Sequence, residues 1–295
     1  MPHTETYTVA DGRTIHIVMA PEDVGNLTVN PTASSAADPT TSTAAALADG
    51  NAACNPLAAF VRRVAEAGVP DDAELVYEAR NRVFRCRVGG GWLSVKAFRR
   101  PKLANAYIYR HLRASKARRS FENAALLIKM GFLSPTPVAY IEVSRDGRLL
   151  ESYYICQHLD GAGDMRHWED NPLADSQLPE VALLLAQLHK AGIYHKDFSP
   201  GNILIHTDPN GEKRLYLIDV NRMEFGVRDR RRLLQNLRAV NIENAAETCR
   251  FARLYAAAAG LDPEATATLA ARELDAYHRT KAHHRAMKKL LGRQQ

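Results

Sequence analysis

The sequence predicts an α+β protein of two lobes, in which a small antiparallel sheet precedes a mostly helical region. Strand patterns mark the first lobe: residues 92–98 alternate apolar and polar side chains. A helical stripe marks the second, since apolar residues recur three and four apart over 178–191 until Gly192 ends the pattern. A hairpin is predicted where two apolar runs flank the Asp-Pro-Asn-Gly turn at 208–211. The chain's 295 residues are sufficient for both lobes.

The most informative segment runs from His195 to Asn202 and has the form H-x-D-x-x-x-x-N, followed by a hairpin that leads to Asp219. Helix, loop and hairpin in this order are typical of the catalytic lobe of the protein-kinase-like fold. Phosphoryl transfer needs one carboxylate to orient the attacking hydroxyl, and an amide oxygen with a second carboxylate to hold Mg²⁺. We therefore expect Asp197 to be catalytic, and Asn202 and Asp219 to be magnesium ligands.

The first lobe offers a nucleotide-binding pair. Lys96 lies among apolar neighbours in the predicted strand, as does the kinase lysine that holds the α- and β-phosphates. A helix is predicted over 112–130, and Glu122 is its one carboxylate. Lys96 and Glu122 are the expected pair. Lys129 is the competing partner for Glu122, but a spacing of seven residues does not suit a helical ion pair.

Four segments together resemble one family. They are SFENA at 120–124, GFLSPTP at 131–137, HKDFSPGNIL at 195–204 and LIDVNRM at 217–223. They are similar to the bacterial lipopolysaccharide kinase family of Kdo and heptose kinases, over residues 75–250.

This resemblance implies a bilobal protein-kinase-like fold that uses ATP and Mg²⁺. It also implies transfer of the γ-phosphate to a sugar hydroxyl of the lipopolysaccharide core or a related envelope glycolipid. It assigns Asp197, Asn202, Asp219, Lys96 and Glu122 the roles given above, and it makes His195 a structural brace of the loop.

The sequence departs from protein kinases in several places. No G-x-G-x-x-G precedes Lys96, and the corresponding turn is Ala-Arg-Asn-Arg at 79–82. The glycines at 89–91 directly precede the lysine strand and predict a hairpin turn instead. Asp-Val-Asn at 219–221 replaces D-F-G, and Ser199 stands where protein kinases carry a lysine. These differences favour an enzyme that transfers phosphate as protein kinases do but lacks their regulation.

An arginine-rich stretch after Asp219 predicts an anionic acceptor, because guanidinium groups bind phosphate and carboxylate in bidentate fashion. Most of these arginines are expected on a solvated helix at 230–240, and we assign only Arg222 to the substrate. The set is Arg222, Arg228, Arg230, Arg231, Arg232 and Arg238.

The formal net charge of +6 also favours anionic partners. Nucleic acid is not expected, since the sequence has no zinc-ligand spacing, RNP-like motif or helix-turn-helix pattern. A basic helix at 281–291 suits either peripheral contact with an anionic membrane or simple solvation.

The expected location is the cytoplasm, with peripheral contact at the inner face of the cytoplasmic membrane left open. No apolar run is long enough to cross a bilayer, and the N-terminus has no signal-peptide pattern. The four cysteines are scattered without a C-x-x-C motif, so neither zinc nor a disulfide framework is indicated.

The predicted organisation has four parts: an N-terminal hairpin at 1–26, a flexible linker at 27–52, an N-lobe at 53–156 and a C-lobe at 157–295. The linker is rich in Ala, Ser, Thr and Pro, which do not form a packed core. Local patterns do not decide whether the hairpin joins the N-lobe sheet.

Two other functions remain open. One is phosphorylation of a small molecule, as in aminoglycoside or choline kinases, or of a protein; the arginine-rich stretch would repel a cationic aminoglycoside. The other is a pseudokinase that binds nucleotide without transfer, which the intact catalytic set disfavours.

Overall fold

The computed structural model describes residues 1–21, 55–100, 114–166, 175–239 and 244–291. The chain divides into two compact units. Unit 1 comprises Met1–Ala125 and Pro135–Leu159, and unit 2 comprises Leu126–Ser134 and Asp160–Gln295. The predicted linker at 27–52 lies outside the described residues.

Unit 1 is built on a seven-stranded antiparallel sheet in the order β1-β2-β6-β7-β5-β4-β3. The strands are β1 His3–Thr8, β2 Thr14–Met19, β3 Glu74–Glu78, β4 Arg82–Val88, β5 Gly91–Phe98, β6 Pro137–Arg145 and β7 Arg148–Gln157. The N-terminal hairpin belongs to this sheet, because β2 pairs with β6 from Thr14↔Ser144 to Met19↔Ala139. This long-range pairing answers the question that local sequence left open.

In the described part of unit 1 two helices begin, and side chains define their starts. Helix α1, Pro56–Ala67, is capped by Asn55, whose side chain accepts from the Leu57 N–H at 3.0 Å. Helix α2, Lys116–Lys129, begins later than the predicted residue 112, and residues 112–113 lie outside the described part. The Ser115 hydroxyl accepts from the Arg118 N–H at 3.0 Å and so caps α2.

The unit 1 core lies between α1 and the sheet. Val61 and Val64 of α1 are fully buried and belong to the same apolar cluster as Ile15 and Ile17 of β2. The hairpin therefore contributes buried side chains as well as backbone hydrogen bonds.

Unit 2 contains four helices among its described residues, and α3 packs against α5. They are α3 Leu178–Lys190, α4 Arg230–Leu234, α5 Ala245–Ala259 and α6 Pro263–Leu291. The helix predicted at 230–240 is in fact the short α4 followed by a 3-10 segment, Gln235–Ala239.

Where the structure describes unit 2, five short strands position its loops. They are β8 Gly163–Asp164, β9 Tyr194–His195, β10 Ile203–Thr207, β11 Lys213–Leu217 and β12 Met223–Glu224. The predicted hairpin is β10–β11, with β8 on the other side of β10, and β9 pairs with β12.

Among the described residues, no helix is both long and apolar enough to span a bilayer. Cys86 on β4 and Cys156 on β7 are free and buried, as expected of core residues; Cys249 is also free, and Cys54 lies outside the described residues.

Candidate active site in unit 2

His195 braces the loop that carries Asp197. The Asp197 N–H donates to His195 Nδ1 at 3.2 Å, so the ring proton lies on Nε2, which donates to the Ile218 carbonyl at 3.2 Å. Burial lowers the pKa of His195 and favours the neutral imidazole that this bonding requires. The ring thus ties the loop to the residue just before Asp219.

Asn202 is held at the base of the β10–β11 hairpin. Its Nδ2 donates to the Asp197 carbonyl at 2.8 Å, and its own carbonyl accepts from the Ile218 N–H at 3.0 Å. Because Nδ2 is engaged, Oδ1 is the amide atom left to bind a cation.

Asp219 lies beyond the end of its strand rather than at it. Strand β11 ends at Leu217, and Asp219 adopts a left-handed conformation with φ 54 and ψ 42. Asn221 Nδ2 donates to Asp219 Oδ1, which helps to hold the carboxylate. A positive φ is unfavourable for most side chains, although aspartate tolerates it better than most. Such local strain is typical of functional sites.

Asp197 forms an ion pair with Arg222. Arg222 Nη1 lies 2.9 Å from Oδ1 and 3.1 Å from Oδ2 of Asp197. Arg222 follows Asp219 closely in the sequence, but its guanidinium contacts Asp197, a residue 25 positions away. The side chains of Arg222 and Asp197 are 47% and 33% exposed, so solvent screens the pair and its net contribution is about 1 kcal/mol or less. Its importance therefore lies in orientation.

A cavity of about 470 Å³, here called the basic cavity, opens beside Asp197. It is lined by Tyr194, Lys196, Asp197, Arg222, Asp229, Arg231, Arg232, Gln235 and Arg238. Lys196 comes from the loop, and the other cations come from the segment after Asp219 and from α4 and its 3-10 extension. Five cationic and two anionic side chains line it, which favours an anionic ligand.

A buried polar network supports the loop from behind. The Tyr255 hydroxyl lies 2.8 Å from His189 Nδ1, and His189 Nε2 lies 3.1 Å from Asn236 Oδ1. Asn236 Nδ2 donates to the His195 carbonyl at 2.8 Å. Because Asn236 Oδ1 must accept, His189 carries its proton on Nε2 and Nδ1 accepts from the Tyr255 hydroxyl. Sequence reasoning missed this network because its members lie 41 to 66 residues apart.

Two further residues secure the backbone around the site. Buried Ser134 donates its hydroxyl to the Leu217 carbonyl at 2.9 Å, which anchors the strand that precedes Asp219. A Cβ at Gly201 would lie 3.2 Å from Arg166 Cδ, so a larger residue there would require the Arg166 side chain to shift by a few tenths of an ångström. Both residues lie within segments that resemble the lipopolysaccharide kinase family, but only the structure shows which contacts they make.

In unit 1, Lys96 and Glu122 lie on β5 and α2. Lys96 Nζ is 5.5 Å from the centroid of the Phe98 ring. Glu122 Oε1 accepts from Arg118 Nε at 2.7 Å, an i,i+4 pair on the surface of α2. The competitor for Glu122 is therefore Arg118, not Lys129. The pairing of Glu122 with Lys96 stays a prediction.

The turn between β3 and β4 has no glycine, as the sequence predicted. It comprises Ala79, Arg80 and Asn81, and the Ala79 N–H donates to the Asn81 carbonyl at 3.2 Å. Gly89 and Gly90, with φ 58 and 89, form the tight β4–β5 turn. The triple-glycine segment is thus a hairpin turn.

Comparison with known proteins assigns the family. The model of the lipopolysaccharide kinase (Kdo/WaaP) family matches residues 95–255, more than half of the chain. No curated protein matches the sequence.

Two solved structures are similar in fold. "WaaP in complex with acyl carrier protein" has a TM-score of 0.48 and 22% identity, covering 68% of this chain and 87% of that one. "Crystal structure of the Rio2 kinase-ADP/Mg2+-phosphoaspartate complex from Chaetomium thermophilum" has a TM-score of 0.42 and 20% identity, covering 77% and 75%.

The family match takes in Lys96 and Glu122 in unit 1 and the loop and hairpin of unit 2. The chain belongs to the lipopolysaccharide kinase (Kdo/WaaP) family, and it is a phosphotransferase.

Proposed function

We propose that this protein transfers the γ-phosphate of ATP to a sugar hydroxyl of the lipopolysaccharide core or a related envelope glycolipid. The observation that carries the proposal is the arrangement of Asp197, Asn202 and Asp219 at one end of the β10–β11 hairpin. His195 accepts from the Asp197 N–H and donates to the carbonyl of Ile218, the residue before Asp219, while Asn202 donates to the Asp197 carbonyl. Residues 53–156 are proposed as the nucleotide-binding lobe and 157–295 as the lobe that carries the transfer chemistry.

Asp197 is the proposed catalytic residue. Its carboxylate would accept a hydrogen bond from the acceptor hydroxyl, align it for in-line attack and take its proton late in the reaction. The Arg222 guanidinium, which touches both carboxylate oxygens, would hold Asp197 in this orientation. Arg222 is also the proposed contact for the acceptor.

Asn202 and Asp219 are the proposed magnesium ligands, and the donor set fits this ion. Mg²⁺ prefers oxygen ligands and usually takes only one or two from the protein, with phosphates and water supplying the rest. Asn202 offers Oδ1 because its Nδ2 is engaged, and Asp219 offers a carboxylate steadied by Asn221. When bound, the ion would neutralise charge on the transferred phosphate.

Lys96 is the proposed ligand of the nucleotide phosphates, with Glu122 as its partner. A fixed ammonium group near the phosphates would stabilise charge that develops as the γ-phosphate leaves. For this role Glu122 must break its ion pair with Arg118 and form one with Lys96. The Arg118 pair is about half exposed, so the exchange costs little.

The acceptor is proposed to be anionic. The cationic lining of the basic cavity supports a sugar or glycolipid that carries phosphate or carboxylate groups. It disfavours a cationic aminoglycoside, because like charges would repel.

We also propose that the protein works in the cytoplasm, at the inner face of the cytoplasmic membrane, where ATP and a glycolipid acceptor are both present. Basic side chains near the end of α6, such as Lys281 and Arg285, would favour contact with anionic lipid. Co-sedimentation with anionic and neutral vesicles tests this: equal binding to both would contradict it.

The test of function is transfer of labelled γ-phosphate into a fractionated extract of the source cells, with Mg²⁺. Asp197→Ala should lower label in the glycolipid fraction by about 100-fold or more, because general-base and orienting contributions are of that size. MgATP binding should stay near wild type. Asp275→Ala is the matched control, since Asp275 is an exposed aspartate of unit 2 on α6.

Each outcome points to one function. Asp197-dependent label in glycolipid supports the proposal. Label in small metabolites or in protein would replace it with the corresponding kinase activity. MgATP binding without Asp197-dependent label in any fraction would indicate a pseudokinase.

A further inference from the structure

The basic cavity contains five cationic side chains, and three of them are already neutralised. Arg222 pairs with Asp197 at 2.9 Å, Arg232 with Glu224 at 2.5 Å, and Arg238 with Glu273 at 3.3 Å. Two of these arginines also lie over aromatic rings. The Arg232 guanidinium is 5.5 Å from the Tyr194 ring centroid, and the Arg238 guanidinium is 5.6 Å from the Tyr277 ring centroid. The charges of these three arginines are therefore balanced by carboxylates of the protein itself.

Lys196 and Arg231 differ from the other three. Within the described residues neither side chain has a carboxylate partner, and both are exposed where they line the cavity. Asp229, the second aspartate of the cavity, caps α4 and accepts from the backbone N–H groups of Arg231 and Arg232 at 2.9 and 3.3 Å. These contacts leave the Arg231 guanidinium unneutralised.

The position of this charge matters for the reaction. Lys196 directly precedes Asp197 in the loop, and Arg231 lines the same cavity. The volume of about 470 Å³ is in the range of sites that hold small-molecule ligands. An anionic group there would lie close to a hydroxyl at Asp197 and would meet two cations that need not first release a carboxylate.

We infer that Lys196 and Arg231 form an anion subsite that binds a phosphate or carboxylate group of the acceptor beside the hydroxyl activated by Asp197. The inference rests on the proposed function, because it takes Asp197 as the residue that receives the acceptor hydroxyl. It makes Lys196 and Arg231 the specificity-determining residues of the cavity, and Arg222 keeps its proposed tasks of orienting Asp197 and contacting the acceptor.

The first experiment measures transfer into the glycolipid fraction. Lys196→Gln and Arg231→Gln should each lower kcat/KM for the acceptor about tenfold, because each removes one charge-assisted hydrogen bond. The KM for ATP should not change, since the subsite contacts only the acceptor. Arg230→Gln, an exposed neighbour on α4 outside the cavity, is the matched control. Wild-type kcat/KM in both cavity variants would overturn the inference.

The second experiment needs no transfer activity, so it separates failure of the subsite from failure of the proposed function. Binding of inorganic phosphate to the whole 295-residue chain is followed by ³¹P line broadening. The double variant Lys196→Gln/Arg231→Gln should bind phosphate at least about tenfold more weakly than Arg228→Gln/Arg230→Gln. Equal binding by the two doubles would overturn the subsite even if glycolipid is labelled.

Acetate competition distinguishes the two anions. If acetate displaces phosphate from the wild type at comparable concentration, the subsite suits a carboxylate; if it does not, the subsite suits a phosphoryl group. Circular dichroism melting curves that match the wild type show that each variant is folded. Loss of phosphate binding in a folded double variant, without any Asp197-dependent transfer, would support the subsite and refute the proposed acceptor chemistry.

Discussion

Protonation of His189 should destabilise the protein between about pH 6.5 and pH 4. Burial lowers the pKa of His189 from 6.5 to about 4. The unfolded chain therefore binds more protons than the folded chain in this window. The stability contributed by neutral His189 is complete above pH 6.5 and is lost as the pH falls toward 4.

The size of the effect follows from the gap between the two pKa values. A gap of about 2.5 pH units corresponds to roughly 3 kcal/mol once the pH is below both values. Near pH 5 the loss is about 2 kcal/mol. Tyr255 and Asn236 are the hydrogen-bond partners of His189, and neither offers a carboxylate that would stabilise the imidazolium.

Urea unfolding followed by far-UV circular dichroism measures this loss. Between about pH 7.5 and pH 5, the wild type should lose about 2 kcal/mol more than His189→Gln, which cannot titrate at this position. Buried His195 also has a lowered pKa, but it titrates in both proteins and so cancels in the comparison. Equal losses in the two proteins would refute the reasoning.

Three further predictions concern single side chains. Asp219→Asn should keep the wild-type melting temperature, because asparagine also tolerates a positive φ, while Mg²⁺-dependent ATP binding weakens by about tenfold; a matching loss of stability would contradict this. Ile17→Ala should cost about 2–5 kcal/mol in urea unfolding, since Ile17 is fully buried against α1; a loss below about 1 kcal/mol would show that the hairpin is dispensable. Arg118→Gln should change stability by less than about 0.5 kcal/mol and leave turnover intact, because it frees Glu122; loss of turnover would refute the proposed exchange of partners.

Features set by nearby residues were predictable from sequence. The bounds of helix α1, for example, are set by its immediate neighbours, because Asn55 caps its first turn and Gly68 caps its end. The β10–β11 hairpin forms around the Asp-Pro-Asn-Gly turn at 208–211, and α3 ends just before Gly192. Motif spacing likewise located Asp197 and Asn202 in one loop between a helix and a hairpin.

Other features of the site have little local signal. The start of α2 was predicted too early, because the helical pattern in the sequence extends upstream of Ser115. The structure shows that Ser115 caps the helix. Glu122 is an exception: its competing partner is Arg118 rather than Lys129, and the spacing of four residues from Arg118 was already visible in the sequence. The left-handed Asp219 was missed because the apolar pattern of β11 does not show where the strand stops.

The sequence alone was thus sufficient for the fold class, through short-range periodicity and turn residues, and for the family, through the resemblance of four segments. It also supplied the candidate catalytic and metal-binding residues, whose roles stay predictions. Only the tertiary structure joined the N-terminal hairpin to the sheet, brought Arg222 onto Asp197, and linked Tyr255 through His189 and Asn236 to the loop. Each of these contacts joins residues far apart in the chain. Their formation depends on the packing of whole elements, which no local pattern specifies.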